Sequence, residues 1–253
     1  MLYSKLAVVL LNSIAAEKPD ATNRIIAEWL LAHQEEISSI GIVDAAEQIH
    51  ISTASISRFA KELGFEDFTE LKQALSEGMD SFTAMHGKEE EISAAYLAAV
   101  EQGLKKASTV SMKEIRQCAE SILHYDTIWI FSLLKGEAAA ISLQADLRMF
   151  HKNAKTLFSY KEQMDAMKNS TRKELIILFS YTGTYFNYEG RIPSKGKIKA
   201  PIIMVSGGKN EYPDLLSQFI HFDSSLDYFS HPYTMLYIAG LISQSYAYLL
   251  ETE

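Results

Sequence analysis

Three short and almost uniformly apolar runs in the second half of the chain constrain its fold more than any other feature. They occupy residues 127–134 (TIWIFSLL), 174–180 (ELIILFS) and 201–206 (PIIMVS), and helical segments separate them. A strand that is apolar on both faces must be covered on both faces, and parallel sheets flanked by helices provide that cover. The sequence therefore predicts an α/β three-layer sandwich with a parallel sheet at residues 107–253.

The first part of the chain has a different pattern. Its apolar residues recur only at helical spacing, which predicts an all-α domain at residues 1–77. An early helix is expected to begin behind a cap at Thr22. Three shorter helices are predicted at residues 42–49, 53–63 and 67–76.

Between these regions the pattern breaks. Residues 78–91 (GMDSFTAMHGKEEE) contain two glycines and a charge run, which is typical of a linker. We assign residues 78–106 to this linker and a connecting helix. A final apolar helix is expected at about residues 233–250, buried in the core or against another subunit.

Composition and charge exclude several classes of protein. The 253 residues carry a net charge of −8, so nucleic acid cannot be held by a generally basic surface. The single cysteine, Cys118, cannot form an internal disulfide, and its helical setting indicates a packing role. No apolar stretch approaches the roughly 18 residues of a membrane span, and the N-terminal run has amphipathic spacing. We therefore expect a cytoplasmic protein without membrane contact, metal or cofactor.

A helix-turn-helix pattern lies within the first domain. Ala45, Ala46 and Ile49 give its first helix a small apolar face, and the turn HIS follows at residues 50–52. In such a motif the second helix enters the major groove, where short hydroxyls approach phosphates and arginine reaches phosphates or bases. The polar residues on that helix and its cap are the predicted DNA-binding residues: Ser52, Thr53, Ser55, Ser57, Arg58 and Lys61. A plainer interpretation stays open, in which the first two only cap an ordinary helix.

The charge of this domain limits how it can bind. Residues 1–77 contain six lysines and arginines against three aspartates and nine glutamates. A module this acidic is expected to bind DNA weakly as a monomer, and to gain affinity when two copies occupy two half-sites.

The segment AAEQIHISTASISRFAKELGFEDFTELKQAL resembles the N-terminal domain of RpiR-type bacterial transcription regulators. The similarity covers about residues 42–75 and rests on the turn, the Ser-Arg-Phe helix and the LGF exit at the family's spacing. His50 stands where the family has Gly, in a turn that can need a positive φ. Ser55 stands where Thr is common. The resemblance implies a double-stranded DNA operator as partner.

The same resemblance implies that the second domain is a sugar isomerase (SIS) domain, which binds a phosphosugar effector and dimerises. Phosphate in such a site is held by hydroxyls and N–H groups of loops that lead into helices. One loop resembles the family's Ser-x-Ser-Gly-x-Thr pattern, and its candidate ligand-binding residues are Ser180, Tyr181, Thr182, Gly183 and Thr184. Tyr185 replaces the last hydroxyl residue of the pattern. A plain strand-to-helix turn is the alternative.

A second loop departs from the family. The family's Gly-x-Gly-x-Ser falls on residues 136–140, where Ala138 and Ala140 replace the second Gly and the phosphate-binding Ser. Lys135, Gly136 and Glu137 are the candidate ligand-binding residues here, with the lysine offsetting the carboxylate. His231, at the start of the last helix, is a further candidate, and the alternative is a half-exposed cap residue.

Three functions remain open on these patterns. The first is a dimeric transcription regulator of sugar metabolism, controlled by a phosphorylated sugar or amino sugar. The second is a sugar-phosphate isomerase, for which only Glu137 and His231 could act as the base. The third is a regulator that has lost phosphosugar sensing. We expect the first, with no catalytic residues.

Overall fold

The computed structural model describes residues 5–76, 84–188 and 196–252. The chain divides into two compact units. The first contains the helices up to residue 76 and also residues 186–188, and the second contains the sheet and the remaining helices. The predicted start of the linker lies outside the described residues. The domain limits 1–77, 78–106 and 107–253 therefore stay predictions.

The first unit is built only from helices. They are α1 (Lys5–Ala16), α2 (Thr22–Ala32), α3 (Ile42–Gln48), α4 (Thr53–Glu62) and α5 (Phe68–Ser76), with a 3-10 turn at Ile37–Ser39. Their apolar stripes meet in one core that includes Ile26, Leu30, Ile56, Phe59 and Leu71. The limits of α3, α4 and α5 fall within one residue of those predicted, and the all-α prediction is confirmed.

The predicted cap of α2 is wrong by one position. Thr22 is the first residue of the helix, and Ala21 occupies the capping position without a side-chain hydrogen bond. Because Ala21 has extended backbone angles (φ −70°, ψ 134°), the chain enters the helix after it.

The second unit alternates strands and helices. Its helices are α6 (Glu89–Ala107), α7 (Met112–His124), α8 (Glu137–Met149), α9 (Tyr160–Lys168) and α10 (His231–Thr252). Its strands are β1 (Thr127–Phe131), β2 (Asn153–Lys155), β3 (Glu174–Phe179), β4 (Ile202–Ser206) and β5 (Gln218–His221). They form one parallel sheet in the order β2-β1-β3-β4-β5. The register pairs Ile128 with Leu175 and Ile176 with Ile202.

The three apolar runs are the three central strands of this sheet. Ile130, Ile177 and Val205 belong to a core that also contains residues of α7, α8 and α10. Leu178 and Met204 alternate with those residues and are fully buried as well. Both faces of the sheet are therefore covered, and the predicted parallel α/β architecture is confirmed.

The two edge strands were not predicted. β2 has three residues (NAK), and β5 (QFIH) ends in the exposed His221. Edge strands have a paired neighbour on one side only and carry polar residues, so they lack the long apolar run that marks a central strand.

No helix among the described residues combines the length and hydropathy required to cross a membrane.

Candidate functional site

The N-terminus of α4 carries a row of hydrogen-bonded polar side chains. Ser52 caps the helix, because its Oγ accepts a hydrogen bond of 3.2 Å from the N–H of Ser55. The two hydroxyl oxygens lie 3.0 Å apart, and Arg58 Nη2 donates to Ser55 Oγ over 3.1 Å. The cap interpretation of Ser52 is thus confirmed, yet the same residue begins a row that ends in a guanidinium.

This row lies on the outer side of α4. Ile56, Phe59 and Ala60 are buried on the inner side, which fixes the orientation of the helix. Of the predicted DNA-binding residues, Ser52, Thr53, Arg58 and Lys61 are exposed, and Ser55 and Ser57 are half-buried. Thr53 is the first helical residue and not the cap.

The turn between α3 and α4 explains the unusual histidine. His50 has a φ of 55°, and its N–H donates to the carbonyl of Glu47 while the next N–H, of Ile51, donates to Ala46. These two bonds define a helix end in which glycine is the common residue at the left-handed position. α4 ends in the same way, with Gly64 (φ 88°) at the equivalent position.

In the second unit, the strand order brings two of the predicted loops together. The chain leaves β1 toward β2 on one side, and β3 pairs with β1 on the other. In parallel sheets, ligands bind beyond the carboxyl ends of the strands where this order reverses. Ser132, just after β1, donates from Oγ to the carbonyl of Phe179 at the end of β3 over 2.8 Å. This bond connects the two loops at the points where they leave their strands.

The loop after β3 is tightly packed. Gly183 has a φ of 80°, and its N–H donates to the carbonyl of Ser180 over 3.0 Å. A Cβ at Gly183 would lie 2.5 Å from the carbonyl oxygen of Lys209, and a Cβ at Gly208 would lie 2.0 Å from that of Thr182. The glycines therefore allow the loop after β4 to lie directly against the hydroxyl loop.

The hydroxyls of this loop interact with one another. Thr182 Oγ1 and Thr184 Oγ1 lie 2.7 Å apart, and Ser180 and Thr184 are buried. Where the sequence predicts a helix after this loop, the described residues form a 3-10 turn (Tyr185–Tyr188), and the next residues, 189–195, lie outside the described part of the chain. The buried Tyr185 hydroxyl donates to Gln163 of α9.

The loop after β1 is held by its own residues. Leu134 has a φ of 54°, and its N–H donates to the Glu137 carboxylate over 3.2 Å. Burial raises the pKa of Glu137, and the Leu134 hydrogen bond opposes that shift. A Cβ at Gly136 would lie 2.1 Å from Ser132 Oγ, so packing alone requires this glycine. Ala140, at the position of the family's phosphate-binding Ser, is buried in the core.

His231 is brought to the hydroxyl loop through the ring of Tyr181. The two rings stack with centroids 4.1 Å apart and an angle of 9° between their planes. The Tyr181 hydroxyl accepts a hydrogen bond of 2.7 Å from Ser224 Oγ. Burial, together with the positive charge of Lys135, lowers the pKa of His231 to about 3, and the charge of Asp227 opposes that shift. At neutral pH, His231 is therefore an uncharged group beside Tyr181.

Lys135 is held by the segment that precedes α10. Its Nζ donates to the carbonyl of Tyr228 over 2.9 Å. Burial lowers the pKa of Lys135, and the charge of Asp227 opposes that shift. Asp227 in turn accepts from the N–H groups of Phe229 and Ser230, over 2.8 and 2.6 Å, and so orders the entry to α10.

Residues 224–231 thus bring Lys135, Tyr181 and His231 to one region. Within this segment, the sequence predicted only His231 as a site residue. Ser224 and Asp227, which make side-chain hydrogen bonds here, lie in an irregular segment without periodicity. Tyr228 contributes only its backbone carbonyl, which any residue could provide. The one available signal was Asp227 three residues before Ser230, a spacing that favours a local hydrogen-bonded turn.

Cys118 is buried, and burial raises the pKa of its thiol to about 12. Its predicted packing role agrees with this environment, because a protonated thiol is a poor nucleophile.

Comparison with known proteins agrees with both units. Residues 9–81 match the model of a helix-turn-helix domain described as "rpiR family". The structure is similar to that of the Vibrio vulnificus NanR protein complexed with ManNAc-6P, with a TM-score of 0.52 and 16% sequence identity over 97% of this chain and 92% of that chain. At this identity the similarity establishes the fold.

Two weaker similarities concern the second unit. The sugar isomerase domain of an RpiR transcription factor from Sphaerobacter thermophilus gives a TM-score of 0.45 at 12% identity, over 63% of this chain and 89% of that chain. A hypothetical protein from Methanococcus jannaschii gives 0.47 at 14% identity, over 62% of this chain and 92% of that chain. Both TM-scores are too low to support a conclusion. Residues 9–81 thus match the helix-turn-helix domain of the rpiR family, and a parallel α/β domain follows them in the chain.

Proposed function

We propose that this protein is a transcription regulator of sugar metabolism that binds a palindromic operator as a homodimer and is controlled by a phosphorylated sugar or amino sugar in its α/β domain. The observation that carries the DNA-binding part is the row of Ser52, Ser55 and Arg58 on the exposed side of α4. A guanidinium held by a hydroxyl at the start of a recognition helix is positioned for phosphate or base contacts.

The acidity of the protein supports binding by two copies. Arg58 and Lys61 are the cations of α4, and two cations neutralise few phosphates. Two copies double the number of phosphate contacts and make the second contact effectively intramolecular. We propose that the predicted DNA-binding residues Ser52, Thr53, Ser55, Ser57, Arg58 and Lys61 act in this way.

The effector site is proposed at the carboxyl edge of the sheet. Its hydroxyls come from Ser180, Thr182 and Thr184, and its positive charge from Lys135, which lies in the adjoining loop. The NanR structure is described as a complex with ManNAc-6P, and we extend that class of ligand to this chain as part of the proposal. Gly136, Glu137, Tyr181, Gly183 and His231 shape the site in this proposal.

One observation favours a second candidate, a regulator with altered or lost phosphosugar sensing. Ala140 is buried in the core at the position where the family's phosphate-binding Ser stands, so no hydroxyl is available there. The hydroxyl loop supports the same candidate, because Ser180 and Thr184 are buried and Thr184 is hydrogen-bonded to Thr182.

A thermal-shift screen separates these candidates. The purified protein is heated with hexose, pentose and N-acetylated amino sugar phosphates, ManNAc-6P included, and with the unphosphorylated sugars as controls. A ligand that binds the folded state raises the melting temperature, by an amount equivalent to about 2.7 kcal/mol at a hundredfold excess over Kd. A response that requires the phosphate supports an effector site, and a flat response supports the second candidate. Turnover of any of these sugars would instead indicate the isomerase alternative.

A further inference from the structure

The segment between β5 and the first turn of α10 contacts two different parts of the second unit. We call residues 223–233 (DSSLDYFSHPY) the strap. They begin two positions after the end of β5 and include the first three residues of α10. Some residues of the strap bond to the loops of the candidate effector site, and residues beside them bond to α6.

Three contacts join the strap to the candidate effector site. Lys135 Nζ donates to the carbonyl of Tyr228 over 2.9 Å. Ser224 Oγ donates to the Tyr181 hydroxyl over 2.7 Å, and His231 stacks on the ring of the same tyrosine. Both loops of the site therefore hold the strap, the loop after β1 through its lysine and the hydroxyl loop through its tyrosine.

The residues between these contacts bind α6. Ser225 Oγ accepts a hydrogen bond of 2.8 Å from Lys106 Nζ in the last turn of the helix. Ser230 is fully buried, and a Cβ at Gly103 of α6 would lie 2.2 Å from its Cβ. The glycine therefore lets the strap lie directly against the helix.

The contact extends along much of α6. In the first half of the helix, the hydroxyl of Tyr96 lies 3.0 Å from that of Tyr233. The Tyr96 ring also meets the ring of Phe229 edge to face, with centroids 6.1 Å apart. Just after the helix, Thr109 Oγ1 donates to the carboxylate of Asp223 over 2.9 Å. A displacement of the strap therefore disturbs contacts at both ends of α6.

Side chains hold the backbone of the strap before α10 begins. The Asp227 carboxylate accepts from the N–H groups of Phe229 and Ser230. Ser224 Oγ accepts from the N–H of Leu226, whose φ of 49° is a left-handed conformation disfavoured for a residue with a side chain. An irregular segment of this kind rearranges at a lower free-energy cost than a helix or a central strand. The strap can therefore move while the sheet stays intact.

Lys135 is the point at which a bound anion acts on the strap. Its present acceptor, the carbonyl of Tyr228, is neutral. A phosphate group is charged and forms stronger hydrogen bonds with an ammonium group. Phosphate beside the hydroxyl loop therefore competes with this carbonyl for the lysine. The competition gives the ligand unequal affinity for the two positions of the strap, which a ligand-driven shift requires.

We propose that the strap couples the candidate effector site to α6, so that a phosphorylated ligand bound beside Lys135 changes how firmly residues 223–233 hold this helix. α6 is the helix of the second unit that comes next in the chain after α5 of the first unit. The regulatory meaning of the coupling rests on the proposed function. The coupling itself is a property of the second unit, and its test needs no DNA.

Hydrogen–deuterium exchange of the full chain, measured by mass spectrometry, tests the coupling from the site toward α6. Lys135→Met removes the bond to Tyr228, so peptides from the strap and from the second half of α6 should exchange at least about threefold faster. Peptides from α7 should keep the wild-type rate, which excludes a general loss of stability. Lys152→Met is the control, because Lys152 also donates to a backbone carbonyl, that of Leu123, and not to the strap.

The reverse direction uses Lys106→Met, which removes the bond to Ser225. Because a coupling free energy is reciprocal, peptides from the hydroxyl loop should then exchange at least about threefold faster. Lys105→Met is the matched control, since Lys105 carries the same charge in the same turn on the exposed side of α6.

ManNAc-6P is the ligand probe, and inorganic phosphate is measured beside it. If ManNAc-6P raises the melting temperature, it should change the exchange of both the strap and α6 at least about threefold. If no sugar phosphate binds, the proposed effector is wrong, while the two lysine variants still decide the coupling. Wild-type exchange of α6 in Lys135→Met overturns the proposal. So does wild-type exchange of the hydroxyl loop in Lys106→Met, or a bound ligand that leaves α6 unchanged.

Discussion

The imidazole ring of His231 lies flat on the phenol ring of Tyr181, with 4.1 Å between the ring centroids. The stack joins the start of α10 to the hydroxyl loop after β3, two elements about fifty positions apart in the sequence. Both rings are buried, and His231 is uncharged at neutral pH because burial lowers its pKa to about 3. This contact makes the candidate effector site sensitive to protonation.

The stability of the second unit should therefore fall in mild acid. The histidine pKa is about 6.5 in the unfolded chain and about 3 in the folded protein, so the unfolded state binds the proton first as the pH falls. Stability is fully present above pH 6.5 and is lost from there downward, by up to about 1.4 kcal/mol per pH unit. Urea unfolding at pH 7.5 and 5.5 measures this slope.

The matched variants for that experiment are His231→Gln and His124→Gln. Replacing His231 should remove this part of the pH dependence, whereas replacing the exposed His124 should leave it unchanged. Equal slopes for the wild type and His231→Gln would show that His231 titrates normally.

Lys135 should have two measurable effects. Its charge lowers the pKa of His231, so Lys135→Met should raise that pKa, which NMR titration of the imidazole reports. The same change should weaken binding of a sugar phosphate at least about tenfold, because it removes the cation beside the hydroxyl loop.

Lys152→Met is the control for this prediction. Lys152 is also partly buried and also donates to a backbone carbonyl, that of Leu123 over 3.2 Å, but it lies outside the candidate site. An unchanged His231 pKa in Lys135→Met, or the same loss of binding in Lys152→Met, would contradict the assignment of Lys135.

His50→Gly should stabilise the first unit by about 1 kcal/mol. His50 adopts a left-handed backbone conformation, which costs more free energy in a residue with a side chain than in glycine. Gly64→Ala, at the equivalent position of α4, should destabilise it by a similar amount. Thermal unfolding of the three proteins tests both. A destabilised His50→Gly would mean that the histidine side chain makes a stabilising contact that outweighs its backbone cost.

Much of the fold could be predicted because its signals are local. The apolar runs predicted β1, β3 and β4, and the spacing of apolar residues predicted the helices of the first unit. The polar edge strands gave no such signal, and β2 has only three residues. The hydrogen bond from Tyr185 to Gln163 joins two positions that no local sequence pattern links, so it could not be predicted.

The candidate sites were predictable to different degrees. The row on α4 follows from one helix and its cap, so sequence spacing is sufficient. The region around Lys135 depends on a backbone carbonyl of Tyr228, which the sequence does not encode as a side-chain pattern. That Ala140 is buried in the core became visible only with the packing of α8.

The most direct test of the central claim is the affinity of Arg58→Ala for an operator duplex selected from a random library by the wild-type protein. We expect a loss of at least about tenfold and a salt dependence lower by about one unit of slope, with folding and self-association unchanged. Arg116→Ala is the control, since Arg116 is an exposed arginine of α7 paired with Glu120. If Arg58→Ala binds the duplex as tightly as the wild type, α4 is not the recognition helix.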